Sequence, residues 1–177
     1  SSIERANRAA GELSGEQQLQ PVDKLKLLFG LGETYYSTGR LKESETAYSD
    51  TIALANTIND RGALAVALLQ QGQTRMGLST YREAEIATEQ ALEIYQQMND
   101  QEGTALALVQ LGGIKVRMGN YDDAARLAER SLEGVALNSQ IAAIAFGLLG
   151  WARALQGHYA EGVPLLERAV DYMGNIG

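Results

Sequence analysis

A glycine recurs at nearly constant spacing, and this feature constrains the fold of the chain more than any other. The glycines lie 40, 40 and 38 residues apart, at Gly32, Gly72, Gly112 and Gly150. The ninth residue after each glycine is large and hydrophobic or aromatic: Leu41, Tyr81, Tyr121 and Tyr159. A fixed period of this length indicates a repeat array, in which each repeat is one supersecondary unit that packs on its neighbours.

The hydrophobic pattern within each repeat predicts two helices. In the third repeat, Leu108, Leu111 and Lys115 share one helical face, and Ala124, Ala128 and Ser131 share another. Glycine between the two stretches marks the turn in three repeats, at Gly39, Gly119 and Gly157. We therefore predict four helical hairpins: 22–38 with 41–58, 62–77 with 81–98, 103–118 with 121–137, and 139–156 with 159–173.

Small residues are expected where the two helices of a hairpin meet. The recurring glycine should face two small side chains of the return helix, so that the backbones can approach closely. Those pairs are Ser44 and Thr51, Ala84 and Ala91, Ala124 and Ser131, and Gly162 and Ala169.

The segment Leu31-Gly32-Glu33-Thr34-Tyr35 resembles the signature of the tetratricopeptide repeat. The spacing from the recurring glycine to the residues that begin the return helix, as from Gly112 to Tyr121 and Ala124, is also similar to that family. The period of about 40 residues is longer than that family's usual one. The resemblance implies an all-α fold, a right-handed superhelix of helical hairpins. Residues 3–13 are predicted to be the second helix of a truncated preceding repeat. The predicted segments are 1–20 for that helix and its loop, then repeats at 21–60, 61–100, 101–138 and 139–177.

Composition limits the classes of function. The net charge is −7, and an acidic chain is a poor binder of phosphate backbones, so no nucleic-acid partner is expected. Cysteine is absent, which excludes thiolate metal sites and suits a cytoplasmic protein. We find no membrane-length apolar run, phosphate loop, metal set or nucleophile–base pair, so neither enzyme activity nor a cofactor is expected. The start at Ser1-Ser2, without Met, predicts a fragment of a larger protein.

The resemblance places a partner in the concave groove lined by the first helix of each repeat. Positions at fixed distances from the recurring glycine share that face and are mostly apolar. A contiguous apolar surface often marks a binding site. The carboxylate clamp of co-chaperone members is not supported, because none of the matching positions is cationic. The predicted groove residues are Phe29, Glu33, Tyr36, Leu69, Gln73, Met76, Val109, Gly113, Val116, Gly147 and Trp151.

Two features of this chain have competing interpretations. Gly113 and Gly147 remove side chains near Trp151, which leaves either a pocket with an aromatic wall or closer helix packing filled by the tryptophan. One cation recurs at the same position of three repeats, as Arg75, Lys115 and Arg153. It forms either an anion-binding row or a set of side chains that pack and pair with neighbouring carboxylates.

We expect a protein-interaction or scaffold module that binds a peptide or partner helix. The alternative is a ligand-sensing domain of a bacterial regulator that binds a small molecule or peptide. The last predicted helix, with Val163, Leu166 and Val170, lacks a polar capping helix. We therefore expect a further repeat or a second copy to stack there.

Overall fold

The computed structural model describes residues 20–137 and 139–174, with side chains through Tyr172. Those residues form eight α-helices and no strand, which confirms an all-α helical repeat fold. The helices are α1 Pro21–Ser37, α2 Leu41–Thr57, α3 Arg61–Gly77, α4 Tyr81–Gln97, α5 Gln101–Arg117, α6 Tyr121–Leu132, α7 Gln140–Leu155 and α8 Tyr159–Gly174. The predicted helix at 3–13 lies outside the described residues.

The turns inside the hairpins require a left-handed backbone. Gly39, Gly119 and Gly157 have φ of 75°, 81° and 87°, as their predicted role at helix ends requires. The second hairpin has no glycine at this point, and Ser79 adopts φ of 62° instead. The four turns therefore share a residue with positive φ, which is glycine in three hairpins and serine in one.

The turns between hairpins use a different pair of residues. Asn59 and Asn99 take the left-handed conformation, at φ of 56° and 55°. The next residue caps the following helix: Asp60 accepts from the Ala63 amide and Asp100 from the Gly103 amide, both at 2.9 Å. Both aspartates are therefore the N-caps of the helices that follow them.

The described residues divide into two compact units, and the first comprises residues 20–91. Within it α1 packs on α2 and α2 on α3. Gly32 meets the ring of Tyr48, where a Cβ would lie 2.6 Å from Cε1. The Ser44 hydroxyl donates to the Gly32 carbonyl at 2.9 Å, which confirms the predicted contact between these residues.

The second unit begins at Leu92 and contains two hairpins, α5–α6 and α7–α8. Helix α7 packs on α6 and also contacts α5. The shared core between these helices consists of Val116, Ala124, Ala125, Ala128, Leu148, Leu149 and Ala152. Small residues dominate this core, so the helices lie close together.

Helix α6 differs from its prediction. It ends at Leu132, whereas the sequence pattern predicted a return helix as far as Leu137. Gly134 lies just beyond the end and favours termination, because glycine is a poor helix former. The other helix ends agree with the predicted ones to within two residues.

The predicted small-residue contacts hold in part for the second unit. A Cβ on Gly112 would lie 3.3 Å from the Ala124 carbonyl oxygen, as predicted, but 2.5 Å from a Leu148 methyl group of the next hairpin. Gly150 meets Gly162, with 2.8 Å from such a Cβ to the Gly162 oxygen. No helix among the described residues is long and apolar enough to cross a bilayer.

Candidate functional site

The second unit exposes a line of large apolar side chains on α5 and α7. Leu106 is 39% exposed, Ile144 44%, Trp151 45% and Leu155 41%. Leu106 and Ile144 occupy the same repeat position, six residues before Gly112 and Gly150. These four residues form what we call the α5/α7 strip. Core positions of the same two helices, such as Ala107 and Ala145, are fully buried.

Two of the predicted groove residues on α5 contribute less to this surface than expected. Val116 is only 7% exposed and belongs to the shared core, so its prediction as a partner-binding residue is corrected. Its position, four residues after Gly112, turns toward α6 and α7 rather than outward. Val109 is half-buried and packs against that same core.

The pocket predicted around Trp151 takes a different form. A Cβ on Gly147 would be 3.7 Å from the Ala169 Cβ, so this glycine lies against α8. The packing interpretation therefore describes Gly147 better than the pocket does. Trp151 does not fill a gap in the core, because its side chain is almost half exposed. Gly113 is half-buried.

Opposite charges lie at the two ends of the strip. Glu102 precedes Leu106 by four residues on α5, and Arg117 follows Gly113 by four, so all four residues share one face. Both charged side chains are exposed. Neither has an ion pair with any residue in the described part of the chain. The strip is therefore acidic near the start of α5 and basic near its end.

The corresponding face of the first unit is more polar. Tyr36 and Gln73 are exposed and joined by a hydrogen bond in which the Gln73 amide donates to the phenol oxygen at 3.2 Å. Glu33 is exposed, whereas Leu69 and Met76 are half-buried. The predicted groove residues on α1 and α3 thus offer hydrogen-bonding groups more than apolar area.

Phe29 is held in place by an aromatic contact. Its ring packs edge-on against Tyr48, with 5.6 Å between the centroids and 65° between the planes. Burial, with a smaller effect of the Glu33 carboxylate, raises the pKa of Tyr48 to about 12. Phe29 is therefore half-buried against the core.

Two of the recurring cations form ion pairs within their own units. Arg75 donates to Glu45 at 3.0 Å, and Arg153 donates to Glu129 at 2.9 Å. Lys115 also has a partner. At Arg75 and Arg153 the ion-pair interpretation holds. An incoming anion would have to displace a carboxylate at those two positions.

The structure contains one cleft that the sequence pattern did not predict. The start of α5 and the end of α6 enclose an open cleft of about 380 Å³, which we call the α5–α6 cleft. It exists because α6 ends early, and the only signal in the sequence was Gly134. No group of three or more metal-ligating side chains occurs among residues 20–137 and 139–174.

Comparison with known proteins agrees with the repeat geometry. The family model of the tetratricopeptide repeat matches residues 103–173, which cover nearly all of both hairpins of the second unit. No protein of curated function matches the sequence.

Solved structures share the fold at low sequence identity. The apo form of RapI superposes with a TM-score of 0.83 at 14% identity, over 98% of this chain and 63% of RapI. A Rap conjugation gene regulator of the plasmid pLS20, solved with the Phr* peptide, gives 0.82 at 13% identity, over 98% and 48%. A putative kinesin light chain from Podosopora anserina with TPR-like repeats gives 0.74 at 15% identity, over 98% and 86%.

At these identities the superpositions establish the fold alone. The chain spans about half the length of the peptide-bound Rap regulator. The recurring hairpins, the family-model match over residues 103–173 and the superpositions agree, and the fold of the chain is that of tetratricopeptide-like helical repeats.

Proposed function

We propose that this chain is a protein-interaction module that binds an apolar peptide or partner helix on the α5/α7 strip. The observation that carries the proposal is the exposure of Leu106, Ile144 and Trp151 on one face. Tryptophan is enriched among residues that dominate binding energy, and clustered exposed apolar side chains are typical of interaction sites.

The charges at the ends of the strip indicate the character of the partner. A segment with apolar side chains in its centre, a basic residue near Glu102 and an acidic residue near Arg117 would be complementary. Charge complementarity of this kind fixes the direction and register of a bound segment more than it raises affinity. From Glu102 to Arg117 the helix rises roughly 22 Å, which accommodates about four turns of a bound helix.

The alternative is a ligand-sensing domain of a bacterial regulator. The likeness to a Rap regulator solved with a peptide supports a peptide as the ligand in that case as well. The exposure of Trp151 favours an open surface over a closed small-molecule pocket. A scaffold that receives a peptide or helix is therefore the better-supported function, and we place it in the cytoplasm as part of the same proposal.

Selection from a phage-displayed peptide library tests the proposal with a defined probe. Wild-type protein serves as bait, and Trp151→Ala is used for counter-selection. Tyr159→Ala is the matched control, because Tyr159 is a more exposed aromatic residue on α8, outside the strip. We expect peptides with apolar centres that bind wild type and Tyr159→Ala equally and Trp151→Ala at least about tenfold more weakly.

Equal binding of the selected peptides to Trp151→Ala would contradict the proposal. A second variant, Arg117→Glu, tests direction. This variant should weaken the binding of peptides that have an acidic residue at the matching end. It should not change the binding of peptides that lack one.

The exposed face of α8 supports the expected self-association. Tyr159, Val163 and Val170 are 66%, 49% and 68% exposed, and their spacing places them on one face. The proposed occupant is a second copy of this chain. Sedimentation at increasing concentration should show a dimer that Val163→Glu abolishes. A monomer at all concentrations would exclude self-stacking.

A further inference from the structure

The α5–α6 cleft shares no residue with the α5/α7 strip. Its walls come from the last turn of α4, the turn before α5, the first two turns of α5 and the end of α6. A volume of about 380 Å³ lies in the range of small-molecule sites.

The cleft arises from three departures from the repeat pattern. Helix α6 has 12 residues, whereas the return helices α2 and α4 have 17. Thr104 and Gly134 line the cleft, and the positions forty residues earlier hold Leu64 and Ile94. The third repeat thus has threonine where the second has leucine, and glycine where the second has isoleucine.

Charged groups of both signs line this space. Arg130 and Glu133 come from the end of α6, and Asp100 comes from the start of α5. Asp100 uses one carboxylate oxygen to cap Gly103, which leaves the other oxygen available. Within the described residues, neither Arg130 nor Glu133 has a side-chain partner. The cleft therefore presents one guanidinium and two carboxylates to a ligand.

Amide side chains complete the polar wall. Gln96, Asn99 and Gln101 line the cleft, and their amides make no side-chain hydrogen bond to any described residue. Each amide can donate to a carboxylate and accept from an ammonium group. Ala105 and Leu108 form an apolar floor below them.

We propose that the α5–α6 cleft binds a small zwitterion of the free α-amino-acid class. The ligand carboxylate is taken by Arg130, and its ammonium group by Glu133 and the free oxygen of Asp100. An aliphatic side chain lies on Ala105 and Leu108. A ligand with both charges can pair with the guanidinium and with the carboxylates of the cleft. A simple anion would be repelled by the two carboxylates, and a simple cation by the guanidinium.

Three related probes test the requirement for both charges. L-leucine carries both groups, 4-methylpentanoate lacks the ammonium and 3-methylbutylamine lacks the carboxylate. Binding is followed by NMR shifts of backbone amides and by calorimetry at low ionic strength. We expect L-leucine to shift the amides of Thr104 and Gly134, and each analogue to bind about tenfold more weakly, because one set of charge-assisted hydrogen bonds is lost.

Variants assign the binding to the cleft. Arg130→Gln should weaken L-leucine binding about tenfold. Arg126→Gln is the matched control: Arg126 lies on the same helix and pairs with Asp123, outside the cleft. Gly134→Ile should fill the cleft and abolish binding. Gly134 has φ outside the left-handed region, and an added Cβ would contact only Gln101, at 3.8 Å, so the fold should tolerate the change.

Three results would overturn the proposal: no binding of L-leucine to wild type, undiminished binding to Arg130→Gln or Gly134→Ile, or equal binding of 4-methylpentanoate. The last result would identify an anion site instead. Circular dichroism of each variant separates loss of the site from loss of the fold. Because the strip is elsewhere, failure here leaves the peptide proposal standing.

Discussion

At Gly150 the two helices of the last hairpin approach so closely that no side chain fits between them. A Cβ there would lie 2.8 Å from the Gly162 oxygen and 3.0 Å from the Leu166 nitrogen. Both atoms belong to the backbone, so they cannot move aside as a flexible side chain could. Gly147, one turn earlier, has only an ordinary contact with Ala169. Two glycines three residues apart on α7 therefore have different roles.

We predict that alanine has opposite effects at these two positions. Gly150→Ala should lower the free energy of unfolding by about 1–3 kcal/mol, because the helices must separate. Gly147→Ala should raise it by about 0.5–1 kcal/mol, because alanine favours the helix and its methyl group has room. Urea denaturation of both variants measures the difference. Similar destabilisation by both would show that the close approach is not specific to Gly150.

The turns inside the four hairpins have a similar backbone conformation, although the residue with positive φ is not the same in all of them. Three hairpins turn through a glycine with positive φ, and the second turns through Ser79. A residue with a Cβ is strained in this conformation by about 1–2 kcal/mol, whereas glycine is not. The second hairpin thus has a less favourable turn than the other three.

Replacing the serine should relieve that strain. We predict that Ser79→Gly raises the free energy of unfolding by about 1 kcal/mol. Gly119→Ser, the reverse change in an equivalent turn, should lower it by a similar amount. Thermal unfolding of the pair gives the comparison. If Ser79→Gly destabilises the protein, the hydroxyl must stabilise the turn in a way that outweighs the strain.

Across the molecule, each unit buries one tyrosine whose ring packs against a glycine. In the first unit the ring of Tyr48 covers Gly32, and in the second the ring of Tyr95 covers Gly103. Burial raises the pKa of both phenols to about 12, with smaller effects of Glu33 on Tyr48 and of Asp100 on Tyr95. The folded protein therefore holds these two protons more tightly than the unfolded chain does.

Stability should consequently fall in alkaline solution. Below pH 10 both phenols are neutral in the folded and unfolded states, and their contribution is fully present. Between pH 10 and about 12 the unfolded chain ionises first, so the free energy of unfolding falls as the pH rises. The double variant Tyr48→Phe/Tyr95→Phe should show a shallower fall when urea midpoints are measured across this range. Equal slopes in both proteins would contradict the prediction.

The glycine spacing and the hydrophobic period determined the elements of this protein from sequence alone. The helices, most of their ends and their N-caps, such as Asp60 and Asp100, depend on local backbone preferences and residue spacing. All of that information lies within one short segment of the chain. Residues at the repeat surface were predictable in the same way, because their position on a helical face follows from the period. Trp151 is an example.

Tertiary structure decided what each surface offers. Val116 lies on the predicted face by its spacing, yet Leu148 and Ala152 of the next hairpin cover it. Arg75 and Arg153 are occupied by carboxylates 30 and 24 residues away, which no local pattern reveals. The α5–α6 cleft exists only because α6 ends early beside the start of α5. Burial, pairing and cavities depend on which distant segments meet, and that is fixed by packing rather than by the repeat.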